Sequence, residues 1–234
     1  MKADFRDVSL MVATHSFGSV TPPYAQSLAV LTGHLAMWRV SHSVLLLQDP
    51  FVDRGRDRIA AAFLGSGFSH LLMLDADIQF EPTDVARLVA ANRPLVAGAY
   101  RYKNDTGHFA VSFPEGAQDG CQFDDEAQAL EVDGVGAGFM LIRREVFERI
   151  EAATPDLAYV TRNDGVETRF HGFFDQDRDG DQRVGEDIAF CRRWQAVGGK
   201  VHVCPDIRLT HWGPQGFSGA LMDQIRFAES VAAE

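Results

Sequence analysis

Cysteine is scarce in this sequence: three residues, Cys121, Cys191 and Cys204, odd in number and without a Cys-x-x-Cys pair. They supply no disulfide framework, which fits a reducing compartment. Long apolar runs are missing too, and none approaches the roughly 20 residues that a membrane-spanning helix needs. The opening "MKADFRDVSLMVA" places Asp4 ahead of any apolar stretch and shows no signal-peptide core. A soluble, cytoplasmic protein is the expectation. Cations are outnumbered, with 22 Lys and Arg against 33 Asp and Glu, for a net charge of −11. Such a body has no general attraction for nucleic-acid backbones, and the arginines at 54, 56 and 58 are a local exception. No repeat, low-complexity tract or linker interrupts the chain.

What is present is the balance of a globular protein. The 234 residues are 46% hydrophobic and 24% charged, enough for one domain with a sizeable core. Short apolar runs at "VSLMVA" (8–13), "SVLLL" (43–47), "HLLML" (70–74) and "PLVAGAY" (94–100) predict buried strands. Helical patterns alternate with them. Thr21 and two prolines open one, with Leu28, Leu31, Leu35 and Trp38 on a single face; "RDRIAAAFLGSG" ends at Gly65 or Gly67; "PTDVARLVAAN" opens at Pro82. Strands apolar on both faces, alternating with helices, predict a parallel sheet covered on two sides. Ligands in such sheets sit beyond the carboxyl ends of the strands.

The second half is less regular. "VDGVGAGFMLIRREVFERI" predicts a glycine-rich turn, a strand and a helix, "EDIAFCRRWQAVGG" a helix, "KVHVC" a strand and "LTHWGPQG" a loop. Residues 101–131 and 155–185 predict loops or hairpins, and the last residues a helix.

"SHLLMLDADIQFEP" (69–82) ends an apolar strand on Asp75 and Asp77. Residues two apart on a strand end face one way, so both carboxylates suit a hard cation. Alone Asp-x-Asp is weak, because the chain repeats it at 175/177, 177/179 and 179/181, and the bland alternative is a pair of helix-capping acids. His211 in "LTHWG" adds an imidazole, which favours Mn2+ over Mg2+. Glu186 and Asp187 open a helix, where acids either complement the dipole or serve as base and hydroxyl acceptor. Arg54, Arg56 and Arg58 lie where a helix begins, an unfavourable place for cations unless they read phosphate. "DQDRDGDQRVGE" (175–186) spells the EF-hand calcium loop, but Gln182 takes its usual aliphatic place and "RFHGFF", not an amphipathic helix, precedes it. An acidic turn is the expectation there.

Taken in order, "RGRDRIAAAFL", "HLLMLDADIQFEP", "VAGAYRYK", "VGAGFMLIRREVF", "GEDIAFCRRWQAVGGKV" and "LTHWG" resemble the GT-A-fold glycosyltransferases, over residues 8–213. The likeness is strongest to small family-2-like enzymes of bacteria and their phages, and looser to Anp1-type mannosyltransferases. It implies a single α/β domain with a mostly parallel central sheet and a smaller antiparallel, loop-rich C-terminal part. Residues 1–105 would form the nucleotide-binding half and 106–234 the sugar and acceptor half. It further implies transfer of a sugar from a nucleotide-diphosphate sugar, with UDP expected, to a hydroxyl of a glycan, lipid-linked sugar, protein or modified base. Mn2+ or Mg2+ would be held by Asp75, Asp77 and His211. Thr14, His15, Arg54, Arg56, Asp57, Asp75, Ala76, Tyr100, Lys103 and Gly138 would contact the donor. Asp57 departs from the usual Arg-x-Arg-Asn. Gly136 and Phe139 would shape the sugar pocket, and Asp187 or Glu186 would be the base of an inverting member. Stereochemistry stays open, since an Asp-x-Asp with histidine is more familiar among retaining enzymes. Two rivals remain: a nucleotidyltransferase, whose glycine-rich first loop "THSFGSVTPP" lacks, and a non-catalytic calcium- or carbohydrate-binding module.

Overall fold

The computed structural model describes residues 3–114, 122–163 and 166–225. Its first half runs β1 (Ser9–Ser16), α1 (Pro22–Met37), β2 (Ser41–Gln48), α2 (Val52–Leu64), β3 (His70–Asp75), β4 (Ile78–Gln79), α3 (Pro82–Ala91) and β5 (Leu95–Ala97). Short strands follow: β6 (Val111–Ser112), β7 (Phe123–Asp124), β8 (Ala129–Val132) and β9 (Gly134–Val135). Then come β10 (Phe139–Arg143), α4 (Arg144–Ala153), β11 (Ala158–Asn163), β12 (Val166–His171), β13 (Asp177–Asp179) and β14 (Gln182–Val184). The last elements are α5 (Glu186–Ala196), β15 (Val201–Val203), β16 (Arg208–Trp212) and β17 (Gly216–Ala220). The helix expected at the end falls largely on residues 226–234, outside the described residues.

Eight strands form the central sheet in the order β2-β1-β3-β10-β5-β15-β8-β7. Pairing is parallel across β2, β1 and β3 and again between β5 and β15. It is antiparallel where β10 enters between β3 and β5, and at the β8 and β7 edge. The sheet is therefore mixed: the first half has the expected parallel order, and the later strands insert against it.

Double-sided burial explains the uninterrupted apolar runs of β1 and β3; the run at 43–47, expected to be buried, lies on edge strand β2 and leaves Val44 and Leu46 exposed. Leu72 and Leu74 of β3 join Leu10 and Val12 under α1, while Leu71 and Met73 join Met11 and Ala13 under α2. Each fully buried Leu or Met contributes about 1.5–3 kcal/mol relative to exposure, so the strand's register is strongly fixed. Asp75 comes where β3 leaves that core. Helix α1 starts as its sequence demands: Thr21 caps, accepting from the Tyr24 N–H, and prolines fill the first turn. The Thr21 N–H donates to the Ala76 carbonyl at 2.9 Å, tying α1 to the turn between the two aspartates.

One expected loop is a strand. "LTHWGPQG" forms β16 and its return to β17, and β16 also pairs with β4, bringing His211 opposite Ile78. Only Leu209 of β16 is fully buried, so the segment lacks the apolar alternation that marks a strand in sequence.

Candidate functional site

The site is built on adjacent strand ends. In the β1–β3 register, Thr14 pairs with Leu74 and His15 with Asp75. The Asp75 N–H donates to the Gly138 carbonyl at 2.9 Å, which brings the "VGAG" turn against the aspartate. A Cβ on Gly138 would lie 2.5 Å from Asp75 Oδ2, and one on Gly136 would run into the Tyr100 hydroxyl. Both glycines are there because no side chain fits.

The two aspartates have different partners. Arg56, 3% exposed, reaches Asp75 Oδ1 with Nη2 at 2.8 Å and Glu186 Oε1 with Nη1 at 2.6 Å. Burial alone would depress its pKa, but Asp75 and then Glu186 reverse that and raise it. Burial raises the Glu186 pKa, with Arg56 opposing. Asp77 instead receives Lys103 Nζ on Oδ2 at 2.5 Å, and His211 Nε2 lies 3.4 Å from Oδ1. Burial would raise the Asp77 pKa, but His211 and Lys103 bring it below the ordinary carboxylate value.

His211 is oriented from behind. Its Nδ1 lies 2.9 Å from the Arg101 carbonyl, and its ring meets Tyr100 edge-on at 5.0 Å. A carbonyl can only accept, so Nδ1 carries a proton; Nε2 then donates to Asp77 when the ring is charged and turns a lone pair toward it when the ring is neutral. In the neutral form the two acceptors face each other comfortably only around positive charge, and Lys103 supplies one. A carboxylate oxygen and an imidazole nitrogen with an ammonium standing in beside them fit a divalent cation. Among the described residues, no three His, Cys, Asp or Glu side chains form a ready metal cage. The structure brings Asp77 and His211 together and gives Asp75 to Arg56.

The other predicted residues sort by what holds them. Thr14 is buried with its hydroxyl on that of Tyr24, and His15 Nε2 lies 2.7 Å from the Asp49 carbonyl. Arg54 donates to both oxygens of buried Asp49, and Arg58 to one. Burial would raise the Asp49 pKa, but the hydrogen bonds from Arg54, Phe51 and Arg58 bring it to about 2. Asp57 departs from the expected nucleotide contact. It is 1% exposed and accepts from the Phe174 N–H at 2.9 Å and the Tyr159 hydroxyl at 3.2 Å, pinning the segment after β12 to α2. Burial pushes its pKa up to about 7. The Tyr100 hydroxyl accepts from the Gly138 N–H at 3.3 Å. Asp187 Oδ1 accepts from the Ile188 N–H at 2.8 Å, at the start of α5.

The calcium-loop spelling folds as a hairpin. Asp177–Asp179 pairs with Gln182–Val184 across a turn that places Gly180 at φ 57°, and Asp179 binds Arg192 at 3.0 Å. A strand, β12, is the element before it, so the segment has no EF-hand helix. Cavities near 460 Å3 (lined by His70, Arg93 and Arg143) and 440 Å3 (lined by Phe51, Asp57, Tyr159 and Asp175) lie at the opposite end of β3 from Asp75 and beside α2.

No protein-family model and no curated protein sequence matches the chain. Solved structures do. A197 from STIV superposes with a TM-score of 0.52 at 19% identity, over 88% of this chain and 86% of that one. GalNAc-T7, solved with UDP, GalNAc and Mn2+, superposes with a TM-score of 0.50 at 13% identity, over 89% of this chain and 44% of that one. The fold is of the GT-A glycosyltransferase type. In this GT-A fold the paired aspartates, the late histidine and the helix-opening acids stand at one end of the central sheet.

Residue reasoning missed Asp49 and Tyr24. Asp49 follows the apolar run of β2 as Asp75 follows that of β3, so its signal was the same strand-end acid. Tyr24 sits among apolar helix positions and nothing in the sequence marks its hydroxyl. No helix among the described residues is long and apolar enough to cross a membrane.

Proposed function

We propose that this protein is a metal-dependent glycosyltransferase that moves a sugar from a nucleotide-diphosphate sugar, with UDP as the nucleotide, to an acceptor hydroxyl. The observation that carries the reading is the convergence of Asp77, His211 and Lys103 beside the Arg56-held Asp75, at a strand end of a GT-A fold. The GalNAc-T7 structure of similar fold contains UDP and Mn2+, which supports the choice of cation and nucleotide.

A cation bound at Asp77 and His211, Mn2+ before Mg2+, would neutralise the charge that builds on the diphosphate as the anomeric bond breaks. The chain's own groups do the rest. Arg56 keeps Asp75 aimed and lends fixed positive charge from a site that water scarcely reaches. The Arg101 carbonyl holds His211 with Nε2 forward. Glu186 is committed to Arg56, so Asp187 is the carboxylate of the pair that takes the proton from the acceptor hydroxyl in an inverting transfer. Gly136 and Gly138 let Tyr100 and Asp75 close against the turn that forms the sugar side of the cleft. On this reading residues 1–105 bind the nucleotide, and 106–234 shape the sugar and acceptor pocket within one domain.

A panel of nucleotide sugars incubated with the protein and Mn2+ tests it. Release of UDP from one donor is the expected result. No hydrolysis of any donor, together with no heat of UDP binding, would overturn the proposal.

A further inference from the structure

We propose that Lys103 is an internal cation that occupies the Asp77 carboxylate until a divalent ion displaces it, and that the freed ammonium then serves the donor diphosphate. This rests on the metal-dependent reading above and goes beyond the donor contact expected of Lys103 by giving it a resting partner that the cation must displace.

The two cations at this strand end are held very differently. Arg56 has a side chain 4% exposed and binds two carboxylates, so it cannot leave without stranding buried charge. Lys103 is 34% exposed, binds one carboxylate that is itself 29% exposed, and sits at the rim. A pair with that much water is held by no more than about 1 kcal/mol. It is exchangeable by construction.

The residue type agrees with the role. An ammonium is a compact point charge on a flexible four-carbon stem, whereas guanidinium is a rigid fork. The chain uses lysine only at 2, 103 and 200, and arginine for all its other cationic side chains. Lys103 follows β5 on a segment closed at its base by the Arg101–Phe109 bridge, with the exposed residues 103–106 at its tip. Its stem runs past Gly213, where an added Cβ would approach Lys103 Cδ to 3.2 Å, so the glycine keeps the side chain's path clear.

Charge completes the case. Asp77 and the Nε2 of a neutral His211 offer one negative charge and one lone pair, which a single ammonium only partly satisfies. A divalent ion brings twice the charge and can take both donors. The displaced ammonium is left hydrated at the rim and free to take another anion, and the phosphates of the donor are the anion the reaction supplies. The resting salt bridge thus neutralises the Asp77 carboxylate, and cation binding releases a second positive group for the nucleotide.

The test reads Lys103 directly in the wild-type protein. Limiting acetic anhydride followed by mass spectrometry measures acetylation of Lys103, with Lys200, paired to Glu131 at the surface, as internal reference. Mn2+ should raise Lys103 labelling several-fold with Lys200 unchanged, and UDP added after Mn2+ should lower it again. Calorimetry of Lys103→Met without nucleotide should show Mn2+ binding tightened by about two- to fivefold, the strength of one salt bridge a third exposed. UDP binding at saturating Mn2+ should weaken in the same variant. If Mn2+ binds the wild type through Asp77 yet neither labelling nor Lys103→Met affinity changes, the displacement proposal falls and the function stands. If Mn2+ does not bind, or binds equally to Asp77→Asn, both fall.

Discussion

Arg56 Nη1 lies 2.6 Å from Glu186 Oε1, joining α2 to α5 across 130 positions of sequence. The same guanidinium holds Asp75, so one buried cation fixes the strand-end aspartate and the helix that carries Asp187. Arg56→Met should therefore cost about 3–5 kcal/mol, because it leaves two half-buried carboxylates facing each other without a counter-charge. Urea denaturation measures it. A midpoint equal to that of the wild type would show that the bridge carries no structural role.

Asp77→Asn should abolish Mn2+-dependent UDP binding and leave the fold unchanged. Its backbone still accepts from the Trp212 N–H at 2.8 Å, which keeps β16 in place. Titration calorimetry with added Mn2+ reads the affinity and circular dichroism the fold. Wild-type affinity in this variant would remove Asp77 from the metal site.

Asp187→Asn should bind UDP as the wild type does and lower turnover by about two orders of magnitude or more, as expected for loss of a general base. Glu186→Gln should act differently, through Arg56, loosening the α2–α5 contact. Unchanged turnover in Asp187→Asn would exclude it as the base.

Asp57 makes stability depend on pH. Burial raises its folded pKa to about 7, while the unfolded chain releases the same proton near the ordinary carboxylate value of about 4. Below both values each state is protonated and the group has no effect. Between them the unfolded state sheds its proton first, so stability falls as pH rises and levels off above about 7. Asp57→Asn keeps an acceptor for the Phe174 N–H and removes the titration. Its stability relative to wild type should thus rise by on the order of 3 kcal/mol between pH 4 and pH 8. A constant difference in urea midpoints across that range would contradict the buried-acid account.

Gly138→Ala places a Cβ 2.5 Å from Asp75 Oδ2, so the aspartate or the turn must move. A loss of about 1–3 kcal/mol in stability is expected, as for overpacking of a filled site. Thermal unfolding measures it, and an unchanged midpoint would show that the turn yields freely.

The two inner strands of the parallel half were legible because they are buried on both faces, whereas β2 is an edge strand that leaves Val44 and Leu46 exposed. β1 and β3 carry unbroken apolar runs, and the acids that end them stand out against that background. β16 was not, because Arg208, Thr210, His211 and Trp212 give it one buried leucine and a partner, β4, of only two residues far back in the chain. The positions of Asp75, Asp77 and the acids of α5 could be read from spacing and order. Their partners could not. That Arg56 serves carboxylates, and that Asp57 turns toward Tyr159, depends on packing between α2 and segments more than a hundred residues later.

The pairing of β16 with β4 also sets an order of events during synthesis. The Asp77 carbonyl accepts from the Trp212 N–H, and the Trp212 indole donates to Gln79 at 2.9 Å, so the turn bearing Asp77 is stitched down by residues made long after it. A nascent chain with its first three sheet strands complete still has nothing opposite that aspartate. The turn is pinned only when the ribosome has delivered β16, so this end of the sheet is among the last parts of the fold to be fixed.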